Sequence, residues 1–397
     1  MPIKLIVATI LKQWLSRSLR SHAKAFGGIM VKRLIAIFLI AILLSPVISL
    51  GESTAQADSF IPGSRAVGLK DSYWETPMDI TQTDRIWAML TAPITVVDGH
   101  QKEQTVLRKE PSADAEAVAD VTYDSQGVHV LETLDNGWSL VEVYSSSFHD
   151  STVKAWNQLT QGYIKTSQLK KKKVNQKYGL IVDKLDQKLY IFEDGKLYDI
   201  LSVSTGLANE RQPYNETRSG EFLIVSPVGD FVSDNVVGEY ALRFNDGDFL
   251  HQVPYIARGD SKVYEPLEKL LGQRASHGCI RVQRKRTPKG TNMRWIWDVM
   301  RRNMGTRIII WEDFQGRSLG IPDAQTPLFY NPQGGKDYHA ADKCFGVRDK
   351  YLPLTAFTYG ELENAPYSAL NACQYCVPPR RLAEIEEINQ AHRDLGQ

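Results

Sequence analysis

Between Ala92 and Trp311 the apolar residues come mainly in short runs broken by polar ones, and this limits what the chain can become more than any other feature. Successive side chains of a strand face opposite ways, so runs of this kind bury one face of a sheet. From Ala92 to Leu169 they are short, "ITVV", "TVLRKEP", "VADVTY", "VHVLETL", "WSLVEVY" and "GYIKTSQL", and Asp, Asn, Gly and Ser separate them. That spacing predicts a small β-barrel or sandwich. From Tyr178 to Trp311 the runs lengthen: "YGLIVDKLDQKLYIFEDGKLYDILSVSTG" reads as three consecutive strands with "EDGK" as a hairpin turn, and "GEFLIV", "YALRF" and "RIIIWE" add more. "EPLEKLL" and "NMRWIWDVMRRN" carry helical spacing. The expected fold class is multidomain and mainly β, a small barrel followed by a β-rich domain of mostly antiparallel sheet with a few helices.

A chain of 397 residues exceeds what one hydrophobic core usually organises, so two or three folded units are expected. With 47 Lys and Arg against 46 Asp and Glu, nothing global attracts a polyanion, and nucleic acid is not an expected partner. Residues 58–91 are polar and turn-rich and read as a linker, 92–169 as the barrel, and 170–177 as a basic linker. The run Lys170 to Lys173 is either a solvated connector or a patch for anionic wall polymer or lipid. The β-rich domain covers 178–312, a compact stretch with three cysteines covers 325–378, and 379–397 begins with Pro and continues in helix formers.

Met30-Val31-Lys32-Arg33 opens a basic segment, "LIAIFLIAILL" is apolar, Pro46 interrupts it, and "AQA" ends it with small residues at 55–57. That order is a secretory signal peptide within 1–57. Met30 reads as the true start. The apolar stretch falls short of the roughly 20 residues that span a bilayer comfortably, although an uncleaved anchor stays open. The mature chain is expected outside the cytoplasm, secreted or cell-wall associated, where disulfides are permitted.

"RASHGCIRVQ" at 274–283 sets Cys279 after Ser276, His277 and Gly278, with Arg274 and Arg281 on either side. A cysteine among apolar residues is usually structural, but a nucleophilic one needs a base or a positive charge nearby and donors for an oxyanion. Gly278 permits a tight turn that aims successive N–H groups at one point. His251, after the strand-like "YALRF", is the best-placed base before the motif. The planar guanidinium of Arg281 suits a substrate carboxylate or an ion pair, Ser276 and Arg274 are further substrate-binding candidates, and Arg284 is a weaker one.

The segment from Tyr178 to Trp311 resembles the L,D-transpeptidase catalytic domain of bacterial peptidoglycan synthesis, whose signature is a histidine, a spacer, then Ser/Thr-His-Gly-Cys, an apolar residue and Asn or Arg. Here it reads His251, then Ser276-His277-Gly278-Cys279-Ile280-Arg281; "SVSTGL" and "TRSGEFLIV" look like the strand and glycine turn before the site. "VLRKEPS", "NGWSLVEV" and "GYIKTSQL" resemble bacterial Src-homology-3-like barrels appended to cell-wall enzymes, with an insertion near "SSFHDSTVKAWNQLTQ". The resemblance implies that Cys279 attacks a stem tetrapeptide at its third, diamino-acid residue. His251 would activate the thiol, and the backbone of His277, Gly278 and Cys279 would line the oxyanion hole. An acceptor amine then gives a crosslink between third residues, whereas water makes the enzyme an L,D-carboxypeptidase; a decayed, wall-binding relative is a third reading. No cofactor is implied for catalysis, the partners are peptidoglycan stem peptides, and carbapenem-type β-lactams are expected to acylate Cys279. Two departures stand out: 24 residues separate His251 from Ser276, a long spacer that "KVYEPLEKLLGQ" would fill with a helical insertion, and Gln252 follows His251 where many members carry Gly or Ser. The second leaves a third catalytic member open.

The other cysteines stand with a histidine: His339, Cys344, and Cys373 with Cys376 as C-x-x-C. Three thiolates and one imidazole suit a closed structural zinc site, because four protein ligands fill a tetrahedral shell. A disulfide between two of the three remains the alternative in an exported protein.

Overall fold

The computed structural model describes residues 80–99, 105–233, 235–311 and 318–394. The signal-peptide reading, the Met30 start and residues 58–79 of the linker lie outside these. Thr83–Thr91, inside the stretch read as linker, is a helix, α1. Its Ile86 and Leu90, one turn apart, are buried against Ile181, Tyr190, Phe192 and Ile309 of the β-rich domain. Gly179 makes this approach possible, since a Cβ there would lie 2.7 Å from Leu90 Cδ1.

The first sheet region begins with β1 (Ile94–Val97) and continues with β2 (Thr105–Arg108), β3 (Ala117–Val121), β4 (His129–Thr133), β5 (Trp138–Tyr144) and β6 (Leu159–Lys165). β2 to β6 form an antiparallel sheet in the order β3-β2-β6-β5-β4. Among the described residues no pairing joins its two edges, so the strand count and short spacing expected from the sequence are present without a closed barrel. β7 (Leu169–Lys172) pairs with β1 and contains most of the lysine run.

The β-rich domain is built on one eleven-stranded sheet. β8 (Tyr178–Asp183), β9 (Lys188–Glu193) and β10 (Lys196–Ser204) are the three consecutive strands, antiparallel throughout, with Asp194 and Gly195 at positive φ in the turn between β9 and β10. β11 (Gly220–Leu223), β12 (Ser226–Ser233), β13 (Val236–Arg243), β14 (Phe249–Gln252), β15 (Tyr255–Arg258), β16 (Ser261–Val263), β17 (Ile280–Val282) and β18 (Arg307–Trp311) complete it. The order is β11-β18-β8-β9-β10-β17-β14-β13-β15-β16, with β12 on β13. Within it β18 runs parallel to β8 and β14 parallel to β17. Helix α2 is a single turn, Glu265–Glu268, shorter than the helical insertion read from "KVYEPLEKLLGQ": after Lys269 the chain continues in turns to Gly272, at positive φ, whose N–H donates to the Val203 carbonyl. Helix α3 (Met293–Met300) buries Met293, Ile296 and Met300 on the sheet, and Asn292 caps its first turn by accepting from the Trp295 N–H.

The C-terminal stretch makes a four-stranded sheet from β19 (Pro327–Tyr330), β20 (Asp337–His339), β21 (Thr355–Thr358) and β22 (Asn371–Ala372), followed by helix α4 (Leu382–Asp394). Among the described residues no helix is long and apolar enough to cross a membrane.

The segment between β5 and β6, which reads in sequence as an insertion, is one of the places where the first sheet region meets the β-rich domain. Ser145, Ser146, Ser147, Ser151 and Asn157 are buried there. Asn157 accepts from the Ser219 N–H and donates to Ser219 Oγ, while Arg218 donates to the Ser147 carbonyl at 2.8 Å and lies 3.9 Å from the centre of the Phe148 ring.

Candidate active site

Two neighbouring strands bring the sequence motif together. β14 and β17 run parallel with His251 opposite Arg281, so the histidine stands two rungs along from Cys279, the residue that ends the turn before β17. His251 is buried at 3% exposure, and its ring meets the edge of Phe231 with centroids 5.0 Å apart. Its Nδ1 lies 2.6 Å from the Gln252 carbonyl oxygen. A carbonyl can only accept, so Nδ1 carries the proton and Nε2 keeps its lone pair. The sequence could not reveal this third partner, because it is a backbone atom: the Gln252 side chain points elsewhere and donates to Glu239 Oε2 at 2.8 Å.

The Ser276-His277-Gly278-Cys279 turn is tied by its own first residue. Ser276, 2% exposed, donates from Oγ to the Cys279 carbonyl at 2.5 Å and accepts from the Gly278 N–H at 3.2 Å. Gly278 has φ +123°, and a Cβ on it would lie 2.4 Å from Asp248 Oδ1. Glycine is therefore required twice, by conformation and by space. Since Ser276 takes the Gly278 N–H, the donors left to face an oxyanion are the N–H groups of His277 and Cys279, which have no protein acceptor among the described residues. His277 itself is exposed.

Cys279 keeps partial exposure, and its Sγ accepts from the Phe249 N–H at 3.4 Å. Burial pushes the thiol up to about 12 and the nearby Asp248 carboxylate adds to this, against the Phe249 N–H and the guanidinium groups of Arg281 and Arg218. Burial likewise pulls His251 down to about 4, opposed by its bond to the Gln252 carbonyl and helped by the charge of Arg281. At neutral pH Cys279 is therefore a thiol and His251 a neutral imidazole, so a nucleophilic role for the sulfur would require its proton to move.

The arginines divide. Arg281 is half-buried, and no carboxylate pairs with it among the described residues. Arg274 is occupied: it reaches both oxygens of the buried Glu216 at 2.9 Å, and Lys184 reaches the same carboxylate at 2.6 Å. Arg284 pairs with Glu268 at 2.9 Å and covers the Tyr264 ring. Sequence reasoning missed Arg218 and Asp248, both 2% exposed and paired at 3.1 Å directly behind Gly278. Their only local signal was an arginine between "ET" and "SGEF", too little to locate a partner thirty residues away.

His339, Cys344, Cys373 and Cys376 are also gathered, their ligand atoms all within 4.8 Å of one another.

Comparison with known proteins finds a match over the β-rich domain. Residues 177–310 match the YkuD family model, the L,D-transpeptidase catalytic domain, so this chain carries a domain of that class over about a third of its length. No curated protein matches the chain. Among solved structures, the L,D-transpeptidase (residues 123–326) from Xylanimonas cellulosilytica is 24% identical, with 34% of this chain and 60% of that one covered and a TM-score of 0.25. An L,D-transpeptidase from Stackebrandtia nassauensis is 23% identical, covering 36% and 58%, with a TM-score of 0.24. L,D-transpeptidase 3 from Mycobacterium tuberculosis, solved with a faropenem-derived adduct, is 13% identical, covering 61% and 88%, with a TM-score of 0.27. The chain thus spans less than two thirds of the first two relatives, and scores this low establish no shared overall fold.

Proposed function

We propose that this protein is an extracytoplasmic L,D-transpeptidase that joins peptidoglycan stems between third residues through a thioester on Cys279. The observation that carries the proposal is the fixed tautomer of His251, whose Nδ1 is committed to the Gln252 carbonyl on the strand beside the one that follows Cys279, two rungs along from it. The thiol proton passes to Nε2 as Sγ attacks the carbonyl carbon of the third stem residue. The resulting oxyanion faces the N–H groups of His277 and Cys279, which stabilise it best in a site that excludes water. Collapse breaks the bond to the terminal D-residue, whose nitrogen takes the proton from His251. The acceptor amine then attacks the thioester and gives its proton to His251, the new amide forms, and the proton returns to the departing sulfur.

Arg281, half-buried and without a carboxylate partner among the described residues, suits a stem carboxylate beside the nucleophile. The first sheet, read as a Src-homology-3-like module, would hold wall polymer near the site. Carbapenems and related β-lactams would acylate the same sulfur, as the imipenem complex and the faropenem-derived adduct of other L,D-transpeptidases suggest by analogy.

The test is incubation of the mature protein with a purified disaccharide-tetrapeptide, followed by mass analysis of the products. A dimer lighter than two substrates by one terminal D-residue, absent with Cys279→Ala, is the expected result. Tripeptide alone would mean that water is the acceptor, and no turnover beside intact wall binding would mean a binding protein.

A further inference from the structure

The cysteines outside the active site adopt spacings that a disulfide does not explain. Cys344 and Cys373 place their sulfurs 3.7 Å apart, and Cys376 Sγ is 3.6 Å from His339 Nδ1. A disulfide needs about 2.0 Å between sulfurs. A tetrahedral zinc with bonds of about 2.3 Å to sulfur and about 2.0–2.1 Å to nitrogen gives ligand edges of roughly 3.8 Å from S to S and roughly 3.6 Å from S to N. Both observed spacings fall on those edges.

The surroundings also suit thiolates. Ala340 N–H donates to Cys376 Sγ at 3.3 Å, Gly346 N–H to Cys344 Sγ at 3.4 Å, and Tyr375 N–H to Cys373 Sγ at 3.4 Å. Each sulfur thus accepts one backbone hydrogen bond, the outer shell that orients a metal's ligands and spreads their charge. His339, Cys344 and Cys373 are all at most 3% exposed, so an ion here would have little contact with water.

We propose that His339, Cys344, Cys373 and Cys376 bind one structural zinc ion, which clasps the C-terminal module to the catalytic domain. Binding displaces the three thiol protons, and the four protein ligands leave no open position for substrate. The ligands come from strand β20, from the loop after it and from the turn after β22. The clasp follows directly in sequence. Four residues after Cys376, the Arg380 guanidinium bonds the Asp186 carboxylate at 3.1 Å, the Asp186 carbonyl at 2.8 Å and the Gly272 carbonyl at 3.1 Å. Gly272 lies on the segment that leads into Ser276 and Cys279. Lys285, just beyond the catalytic turn, donates to Gln374 between the two C-x-x-C cysteines at 2.8 Å. The metal fixes the turn from which these contacts start.

The test uses full-length mature protein carrying Cys279→Ala, made in zinc-supplemented medium, so it does not depend on any transpeptidase activity. Metal analysis and native mass should give one zinc per chain, and the denatured mass should be that of a fully reduced chain. Alkylation of the native protein should label none of the three remaining cysteines before chelation and all three after it. Chelation should also increase proteolysis between residues 318 and 381. Cys373→Ser together with Cys376→Ser should lose the zinc, whereas Lys285→Ala, outside the ligand set, should retain it. A denatured mass two protons light, no zinc after supplementation, or zinc retained by the double-serine variant would overturn the proposal.

Discussion

Replacing Arg218 by alanine removes the partner of a charge that has nowhere else to go. Asp248 is 2% exposed, and Arg218 Nη1 meets both its oxygens at 3.1 Å. The other contact on that carboxylate is the Asn245 amide at a long 3.4 Å. Burial holds the Asp248 carboxyl above its usual range even with Arg218 beside it, and the guanidinium is the main influence opposing that rise. Breaking a buried pair by removing one partner typically costs about 3–5 kcal/mol, and the lost contact with the Phe148 ring adds to it. The carboxyl will take up a proton in the folded variant that it would not hold unfolded. Its folded pKa, already raised in the parent, then stands further above the unfolded one, so the deficit relative to the parent is smaller near pH 4 and grows as pH rises toward 7. Urea unfolding of the mature protein at several pH values, followed by tryptophan fluorescence, measures this. Arg218→Met combined with Asp248→Asn removes both charges and should cost at least about 2 kcal/mol less than the sum of the single changes, within the range of measured couplings between contacting groups. A deficit below about 1 kcal/mol at pH 7, or additive single changes, would refute the reasoning.

Four further outcomes follow from the structure. With His251 at about 4 and the Cys279 thiol at about 12, the rate of acylation should be flat across neutral pH and fall on the acid side near 4, without an inflection at the ordinary histidine value; a limb near 6.5 would contradict the burial of the ring. The same depressed histidine favours the folded state above its unfolded value, and that contribution, about 3 kcal/mol for a shift of this size, is lost as pH falls through 4. Gln252→Ala should leave acylation within about tenfold of the parent, because the orienting atom is a backbone carbonyl; a loss of a thousandfold, the scale of a missing general base, would mean that the side chain takes part. Leu90→Ala, which empties the space over Gly179, should cost about 2–5 kcal/mol in urea unfolding, and a change below about 0.5 kcal/mol would mean that α1 is not part of the core.

What could be read from the sequence divides along the range of the interactions. The three strands from Tyr178 to Ser204, their turn at Asp194-Gly195 and helix α3 rest on period and local turn chemistry, and they lie where the patterns put them. Cys279 and His251 are legible as a candidate pair, since "SHGC" is local and a thiol nucleophile demands a base. Their adjacency was not, because it depends on β14 and β17 pairing in parallel across a connection of nearly thirty residues. The role of Gln252 was hidden, as a carbonyl oxygen has no residue identity. Helix α1 went unread because two buried residues, Ile86 and Leu90, within a polar flank are too few to set a period. The segment Ser145–Asn157 looked like an insertion since its buried groups are serines and an asparagine, satisfied by partners on Arg218, Ser219 and Asp120 that only the tertiary fold supplies. Arg274 was assigned toward substrate from its place beside the motif, and the structure gives it Glu216 as a partner.

The central claim is that Cys279 is a nucleophile served by His251. Intact mass of the mature protein before and after exposure to a carbapenem tests it most directly. The account predicts one covalent adduct per chain, absent with Cys279→Ala and formed at least a hundredfold more slowly with His251→Ala, the loss expected for a missing general base of about 10²–10⁴-fold in rate. An adduct that persists without Cys279, or no adduct with the intact site, would contradict it.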